Sequence, residues 1–284
     1  MNKTYDISGS IVVFKNDRDV LERAVTSFLN TALNTHLCII DNSPTDDLRD
    51  ICDRKNVEYI FNNNNLGFGA GHNIAIRKMM GITKYSLIFN PDVYFNNGTL
   101  EKLFSFMEKN EKLGSVMPRV LYPDGSLQYL CRLLPNPADL LLRKFNVKVL
   151  SLCVNLISKY ELRFANYTKT MDVPYLSGCF MFVRTDVFEK IGVFDERFFV
   201  YFEDVDLSRR IHKLYHTVYY PEAVVYHDYE RGSNKNIELF KYLIFSGVKY
   251  FNKWGWFFDN ERKYVNNEAI RRLNVLEITR RCVK

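Results

Sequence analysis

The stretch Asn62 to Ile76, "NNNNLGFGAGHNIAI", sets four asparagines ahead of three glycines at alternate positions, and the glycines ahead of a helix-like run. It follows the β-rich run Val57 to Phe61 ("VEYIF"), so it reads as a strand-to-helix connection. A dinucleotide-binding fingerprint needs a third glycine three positions after the second, beside the first strand. Here Gly69 is followed three residues later by His72, and the motif follows the third β-rich run, so that reading fails. Two readings remain. The missing Cβ atoms of Gly67, Gly69 and Gly71 let backbone approach a ligand whose anionic group meets the N–H groups of the next helix; or the glycines form a tight turn.

Outward from this stretch, β-rich and helix-like segments alternate. Ile7 to Phe14 ("ISGSIVVF") reads as the first strand. Asp19 to Asn30 reads as an amphipathic helix, with Val20, Leu21, Ala24, Val25, Phe28 and Leu29 on its apolar side. "HLCIIDNS" is a second strand, Asp46 to Lys55 a helix, and "YSLIFNPDVYF" a fourth strand followed by a loop. The alternation predicts an α/β fold, a mostly parallel central sheet flanked by helices. The strands end in Lys15-Asn16-Asp17, Asp41-Asn42-Ser43, Asn62 to Asn65 and Asn90-Pro91-Asp92. Ligands of open α/β sheets bind outside the carboxyl ends of the strands, so these four ends should line one crevice.

The chain has 284 residues, 47% of them hydrophobic, enough for one elaborate domain or one domain with an appendage. Of the formal net charge of +6, residues 231–284 hold twelve basic and five acidic side chains, so the body is close to neutral. We divide the chain into a domain over 1–232, with an insertion over 133–170, and a basic, aromatic, helical C-terminal extension over 233–284. The insertion, which includes Arg143, Lys144 and Lys148 among leucines, reads as a helical flap, an amphipathic surface-seeking segment or a packed connecting helix. The six cysteines lack CxxC pairing and nothing resembles a signal peptide, which points to reduced, mostly buried thiols in a cytoplasmic protein. No apolar run approaches the ~20 residues that cross a bilayer.

Several polar residues follow apolar strands, where a solvated surface cannot explain them. Asp92 follows "LIFNP" at the ligand-bearing edge of the sheet and suits Mg²⁺ or Mn²⁺ beside a diphosphate, or else an Asx-type turn. Asp41 follows "CII" and either accepts hydrogen bonds from a base or ribose or forms a turn. Glu203, Asp204 and Asp206 follow the aromatic lead-in "FFVYF", which would part-bury a carboxylate and make it a general base. An acidic first helical turn accounts for one or two of them. His227 ends "AVVYHD", either as a core histidine or, beside Asp92, as a metal ligand.

Taken in order, "IIDNS", "NNLGFGAGHNIAI", "FNPDV", "GCFMFVR", "GVFDERFFVYFEDVDLSRRI" and "PEAVVYHDYERGS" resemble the inverting family 2 glycosyltransferases of GT-A fold, in particular their bacterial rhamnosyltransferase-like branch. The resemblance spans about residues 7–232. It implies a nucleotide-sugar pocket formed by Phe14, Asp41, Asn42, Leu66, Gly67, Phe68, Gly69, Asn73, Asn90, Asp92, Gly178 and Cys179. Asp92 is similar to the last acid of the family's Asp-x-Asp metal motif, whose first acid is Asn90 here, so the divalent metal is expected at Asp92 and His227. Asp204 matches the catalytic base, with Glu203 and Asp206 in support. The resemblance further implies dTDP-L-rhamnose as donor, with the apolar "SGCFMF" wall suited to a 6-deoxy sugar, and leaves UDP-hexose and UDP-galactofuranose open. It implies a polyprenyl-diphosphate-linked saccharide acceptor in O-antigen or other cell-surface polysaccharide synthesis, and a peripheral position on the cytoplasmic face of the inner membrane. The tail agrees, because Lys249, Lys253, Arg262 and Lys263 lie among Phe251, Trp254, Trp256, Phe257 and Phe258; a helical cap or homodimer interface is the other reading.

A sugar-1-phosphate nucleotidyltransferase would carry a Gly-rich, Arg-containing loop after the first strand, where this chain reads "FKNDRDV". Nucleic acid is not an expected partner, because the body of the chain is near neutral.

Overall fold

The first strand, β1 (Tyr5–Val13), leaves Ile7, Ile11 and Val13 without exposed surface, as expected for a strand covered by helices on both faces. The computed structural model describes residues 4–139, 151–228 and 237–281. β1 lies between β2 (Thr35–Asp41) and β4 (Thr83–Phe89), with β3 (Val57–Phe61) outside β2, and all these pairs are parallel. The sheet continues in the order β3-β2-β1-β4-β10-β6-β11-β5. Here β10 (Phe180–Arg184) runs antiparallel between β4 and β6 (Leu113–Leu121), and β11 (His216–His227) is parallel to β6. β5 (Val93–Phe95) and β8 (Met171–Asp172) pair antiparallel with β11, and β7 (Cys131–Arg132) with β9 (Tyr175–Leu176) forms a small separate sheet. The mixed α/β fold is the expected one; its sheet is parallel over the first four strands and mixed beyond them.

Helices cover the faces: α1 (Arg18–Leu29), α2 (Phe68–Met79) and α3 (Thr99–Glu108), then α4 (Ser151–Tyr160), α5 (Asp186–Ile191) and α6 (Glu203–His212). In α1 the buried Leu21, Ala24, Val25 and Phe28 recur at helical spacing. Asp17 caps its N-terminus by accepting from the amides of Asp19 and Val20. Two expectations are corrected. The helix over Asp46 to Lys55 is a single 3₁₀ turn, Arg49–Cys52. Its apolar residues, Leu48, Ile51 and Cys52, fill one turn, and local bonds such as Arg49 to Asp46 hold the rest of the segment in turns. After the fourth strand, "VYF" is an edge strand rather than a loop, because β11 offers it a free ladder.

The insertion is anchored by Tyr160, Leu162 and Tyr167 in the main core, while Val154 and Leu156 face outward. Arg143, Lys144 and Lys148 lie outside the described residues. The four cysteines whose side chains are described, Cys38, Cys52, Cys131 and Cys179, are buried free thiols. No helix among the described residues is long and apolar enough to cross a membrane.

The C-terminal helices α7 (Ile237–Trp254) and α8 (Asn260–Arg281) dock on α6 through buried charges. Arg209, 2% exposed, donates to both carboxylate oxygens of Asp259 at 2.7 Å and to Glu261 at 2.7 Å. Its guanidinium also lies over Trp254, 4.2 Å from the ring centroid. Asn266 exchanges two hydrogen bonds with the Leu134 backbone. Removing one member of a buried ion pair strands the other without water, at a cost of about 3–5 kcal/mol. Arg209→Met should lose stability of that order in urea unfolding, and adding Asp259→Leu should restore part of it.

Candidate active site

The strand directions decide what meets at one edge. The parallel strands β1, β2, β3 and β4 deliver Phe14, Asp41-Asn42, Asn62 and Asn90 there as their carboxyl ends. Antiparallel β10 brings its beginning to the same edge: Phe180 pairs with Phe89, and the Asn90 amide donates to the Cys179 carbonyl at 3.0 Å. β11 ends there with His227, opposite Val93. The result is a cleft of ≈ 570 Å³ lined by Phe68, Asn90, Gly178, Cys179, Glu203, Asp204 and His227, with Tyr175, Gln128 and Arg132 beside them.

Asp204 is the most completely positioned group in the cleft. Its Oδ2 accepts from the Gly178 amide at 2.8 Å and the Tyr175 hydroxyl at 2.9 Å, and its Oδ1 from the Val205 amide at 2.8 Å. A Cβ on residue 178 would stand 2.9 Å from the Asp204 Cβ, so only glycine lets the strand come this close. Tyr201 and Phe202 both adopt left-handed backbone, φ 69° and 70°, immediately before α6. Such strain persists only where the surroundings over-determine it, and here it turns the chain so that α6 begins inside the cleft. Burial, and then the charge of Asp204, push the Glu203 carboxyl well above its ordinary range, which favours its neutral form. Asp206 turns away from the cleft and is fully buried. It accepts from Arg210 Nε, Lys253 Nζ and Trp254 Nε1, so it fastens α7 to α6 instead of supporting Asp204.

Asp92 and His227 converge, with Oδ1 and Nε2 3.4 Å apart. Gln128 fixes the imidazole, through Nδ1 and Oε1 at 3.0 Å, and its Nε2 donates to the His227 carbonyl at 2.8 Å. Burial opposes protonation of His227, but the Cys179 sulfur and the Asp92 carboxylate outweigh it and raise the pKa to about 10.

Among the residues expected to line a nucleotide-sugar pocket, the structure assigns several to internal work. Asp41 is fully buried, and its oxygens accept from the Ser43 amide at 2.7 Å, an Asx turn, and from the Tyr59 hydroxyl at 2.5 Å. Asn42 is tied to Gly67 and Asn62. Asn73 is buried, and its amide latches the Phe194 backbone and Glu196. The three glycines serve contacts within the protein. A Cβ on Gly67, whose φ is +85°, would meet the Phe199 carbonyl oxygen at 2.2 Å. One on Gly69 would stand 3.0 Å from Phe194, and one on Gly71 would stand 2.8 Å from Val12. Phe14 and Leu66 remain exposed at the rim. The expected apolar wall "SGCFMF" is also revised: Phe180, Met181 and Phe182 lie in the core, and only Gly178 and Cys179 of its last five residues face the cleft.

A family model for glycosyl transferase family 2 matches residues 10–192, which hold every strand-end residue above except those of α6 and β11. The chain belongs to this family. It is 29% identical over 225 residues, 73% of this chain and 71% of the relative, to an N-acetylglucosaminyl-diphospho-decaprenol L-rhamnosyltransferase of Mycobacterium tuberculosis. It is 24% identical over 210 residues, 71% of this chain and 75% of the relative, to the rhamnosyltransferase WbbL of Escherichia coli. GalNAc-T7, solved with UDP, GalNAc and Mn²⁺, superposes with a TM-score of 0.61 at 14% identity, over 80% of this chain and 44% of the longer one. Such neighbours carry the GT-A fold, so this glycosyltransferase has it too.

Whether the strand-end residues of this glycosyltransferase suit a divalent cation can be judged from their atoms. Asp92 Oδ1 and His227 Nε2 are buried oxygen and nitrogen donors at a separation that two ligands of one ion adopt, and Asn90 lines the same cleft. Two protein ligands completed by substrate phosphates is a normal Mg²⁺ or Mn²⁺ arrangement, in which the cation would take the place of the imidazole proton beside Asp92, so the residues fit. Among the described residues the three-ligand cluster is elsewhere, His36, Cys38 and Glu58 on β2 and β3, but Lys78 and His36 already engage Glu58. The strand-end pair is therefore the better candidate.

Tyr175, Gln128 and Arg132 escaped the sequence reading. Tyr175 stands three residues before Gly178 in a recognisable motif, but nothing local reveals a partner 29 residues away. Gln128 and Arg132 carry no sequence signal. His72, whose role was also illegible, is buried in α2 and bonded to the Ser10 hydroxyl at 2.7 Å. Burial pushes its pKa down to about 3. The unfolded value is near 6.5, so the folded state resists a proton that the unfolded chain accepts. This contribution is complete above about pH 6.5 and is lost toward pH 3, at up to about 1.4 kcal/mol per pH unit. Urea unfolding of His72→Gln between pH 7 and pH 4 should fall less steeply with acidification than that of the parent.

Proposed function

We propose that this glycosyltransferase is an inverting rhamnosyltransferase. In this reading it moves L-rhamnose from dTDP-β-L-rhamnose to a hydroxyl of a saccharide carried on a polyprenyl diphosphate, in O-antigen or related polysaccharide synthesis. The observation that carries the chemistry is the Asp204 carboxylate, held by three donors in the cleft that also holds Asn90, Cys179 and His227. A carboxylate has about four lone-pair sites, so one remains for the acceptor hydroxyl. The acceptor oxygen attacks the anomeric carbon as its proton passes to Asp204. The bond from that carbon to the diphosphate oxygen breaks, and the electron pair leaves with the nucleoside diphosphate. One displacement inverts the anomeric centre. Asp92 and His227 would hold a divalent cation, which supplies charge stabilisation to the leaving diphosphate. The relatives from M. tuberculosis and E. coli support the sugar, and the name of the first supports a diphosphate-linked acceptor. A hexosyltransferase of Haloferax volcanii, 25% identical over 72% of this chain and 61% of its own length, supports a hexose donor as the second reading. A thermal-shift panel of nucleotide sugars with and without Mn²⁺ separates the two, since a ligand of the folded state raises its apparent stability.

Asp204→Asn should lower kcat by about 10²–10⁴-fold while leaving nucleotide-sugar binding within a few-fold. Glu203→Gln, which removes a titratable group where burial already disfavours charge, should keep most of the rate. A fully active Asp204→Asn would remove Asp204 from the base role.

Membrane attachment is part of the proposal, at the cytoplasmic face of the inner membrane. Of the cations and aromatics expected to bind headgroups, Lys253 is paired with Asp195 and Asp206, Arg262 is buried beside Asp259, and Phe251 packs in a core. The exposed remainder is the turn between α7 and α8, where Phe257 is 78% and Phe258 97% exposed, next to exposed Lys263. Adjacent exposed aromatics at a helical turn suit the bilayer interface. The double variant Phe257→Ser, Phe258→Ser should sediment several-fold less with anionic phospholipid vesicles. Unchanged vesicle binding, with loss of a dimer in analytical ultracentrifugation, would assign the turn to a second copy of the chain.

A further inference from the structure

The cleft contains a cation that the transfer step above does not use. Arg132 of β7 stands in register with Tyr175 of β9, and its Nη1 donates to the Tyr175 hydroxyl at 3.2 Å. That hydroxyl donates to Asp204 at 2.9 Å, so the guanidinium lies two hydrogen bonds from the base. Its Nε is buried and has no hydrogen-bond partner among the described residues. Of the acids that line the cleft with it, Glu161 is engaged by Arg163 at 2.8 and 2.6 Å, and Asp139 accepts from the Asn136 amide at 2.8 Å. By contrast, the guanidinium of Arg209 is paired with Asp259 and Glu261, and that of Arg210 with Asp206.

Removing a guanidinium from water is costly unless an anion and hydrogen bonds replace the lost hydration. The Glu161 and Asp204 carboxylates favour its charge without occupying its Nε, and neutral sugar hydroxyls add no charge to meet it. A phosphate can, because its oxygens match the planar fork of donors bidentately. The donor diphosphate is placed at the strand ends, by Asp92 and His227. Arg132 is joined through the Tyr175 hydroxyl to Asp204, and Tyr129, Tyr160 and Ile157 line the cleft with it. Aromatic faces of that kind suit a sugar ring or a prenyl chain.

We propose that Arg132 forms an anion subsite on the acceptor side of the cleft, which binds the phosphate or diphosphate that joins the acceptor saccharide to its carrier. The proposal rests on the reading of Asp204 as the base, because that residue sets which wall faces the acceptor. It makes Arg132 a discriminator between phosphate-linked and neutral acceptors.

The test is a calorimetric titration of the full chain, saturated with dTDP and Mn²⁺, with farnesyl phosphate and with farnesol. Farnesyl phosphate should bind at least ten-fold more tightly than the alcohol without displacing dTDP. Arg132→Gln should abolish that preference while dTDP affinity stays within two-fold, and Arg132→Lys should keep part of it. Equal binding of phosphate and alcohol by the parent protein overturns the proposal. So does displacement of dTDP by the phosphate, or a fall in dTDP affinity in Arg132→Gln, since either would place the guanidinium on the donor diphosphate. The parent comparison stands even if Arg132→Gln folds poorly. Because the titration needs no turnover, an Asp204→Asn protein should still prefer the phosphate, so failure of the subsite and failure of the base assignment are read separately.

Discussion

The hydrogen bond from the Gly178 amide to Asp204 ties the sheet to the start of α6, and much of the cleft depends on it. Gly178 lies where antiparallel β10 enters the sheet, so the donor is fixed by the β4–β10 ladder on one side. Asp204 opens α6, so the acceptor is fixed by a helix packed on the opposite side. A side chain on residue 178 would push the two apart, and with them the Tyr175 hydroxyl that shares the same carboxylate oxygen.

The same helix is held from its other face. Successive helical residues rotate by about 100°, so Asp204 can face the cleft while Asp206, Arg209 and Arg210 face protein. Arg209 and Asp206 join α6 to the C-terminal helices through nearly dry charges, and Arg210 caps the carbonyls of Ile191, Gly192 and Val193. The paired left-handed residues Tyr201 and Phe202 are tolerated because these contacts leave the chain no cheaper course. Charge pairing that looks like ordinary helix chemistry in the sequence is therefore what aims Asp204 into the cleft.

The alternation of strand and helix was legible because buried strands need continuous apolar runs and covering helices need a periodic face. "ISGSIVVF", "HLCIID" and "YSLIF" each say so locally, and their polar ends pointed to one edge. The order of strands beyond β4 was not legible, since nothing in "CFMFVR" states that it enters antiparallel between two strands far apart in sequence. The glycine stretch shows the same division. Its glycines were read as a close backbone approach to a ligand or as a tight turn, and the structure shows that a Cβ there would meet protein. The neighbours that exclude it, Phe199, Phe194 and Val12, lie up to more than a hundred residues away, so a ligand was an equally consistent cause.

By itself the sequence determined the α/β class, the family resemblance, and the residue types at the strand ends, because these follow from periodicity and from motifs whose spacing is local. Only the tertiary structure decided which polar groups face the cleft and which are committed inside. Asp41, Asn73 and Asp206 carry the same chemistry as Asp92, Asn90 and Asp204, yet they are buried against partners brought by folding. Arg132 became conspicuous only when its buried Nε could be seen to lack a hydrogen-bond partner among the described residues. A side chain's role depends on the partners left to it after packing, and those are set by contacts between distant segments that no local pattern encodes.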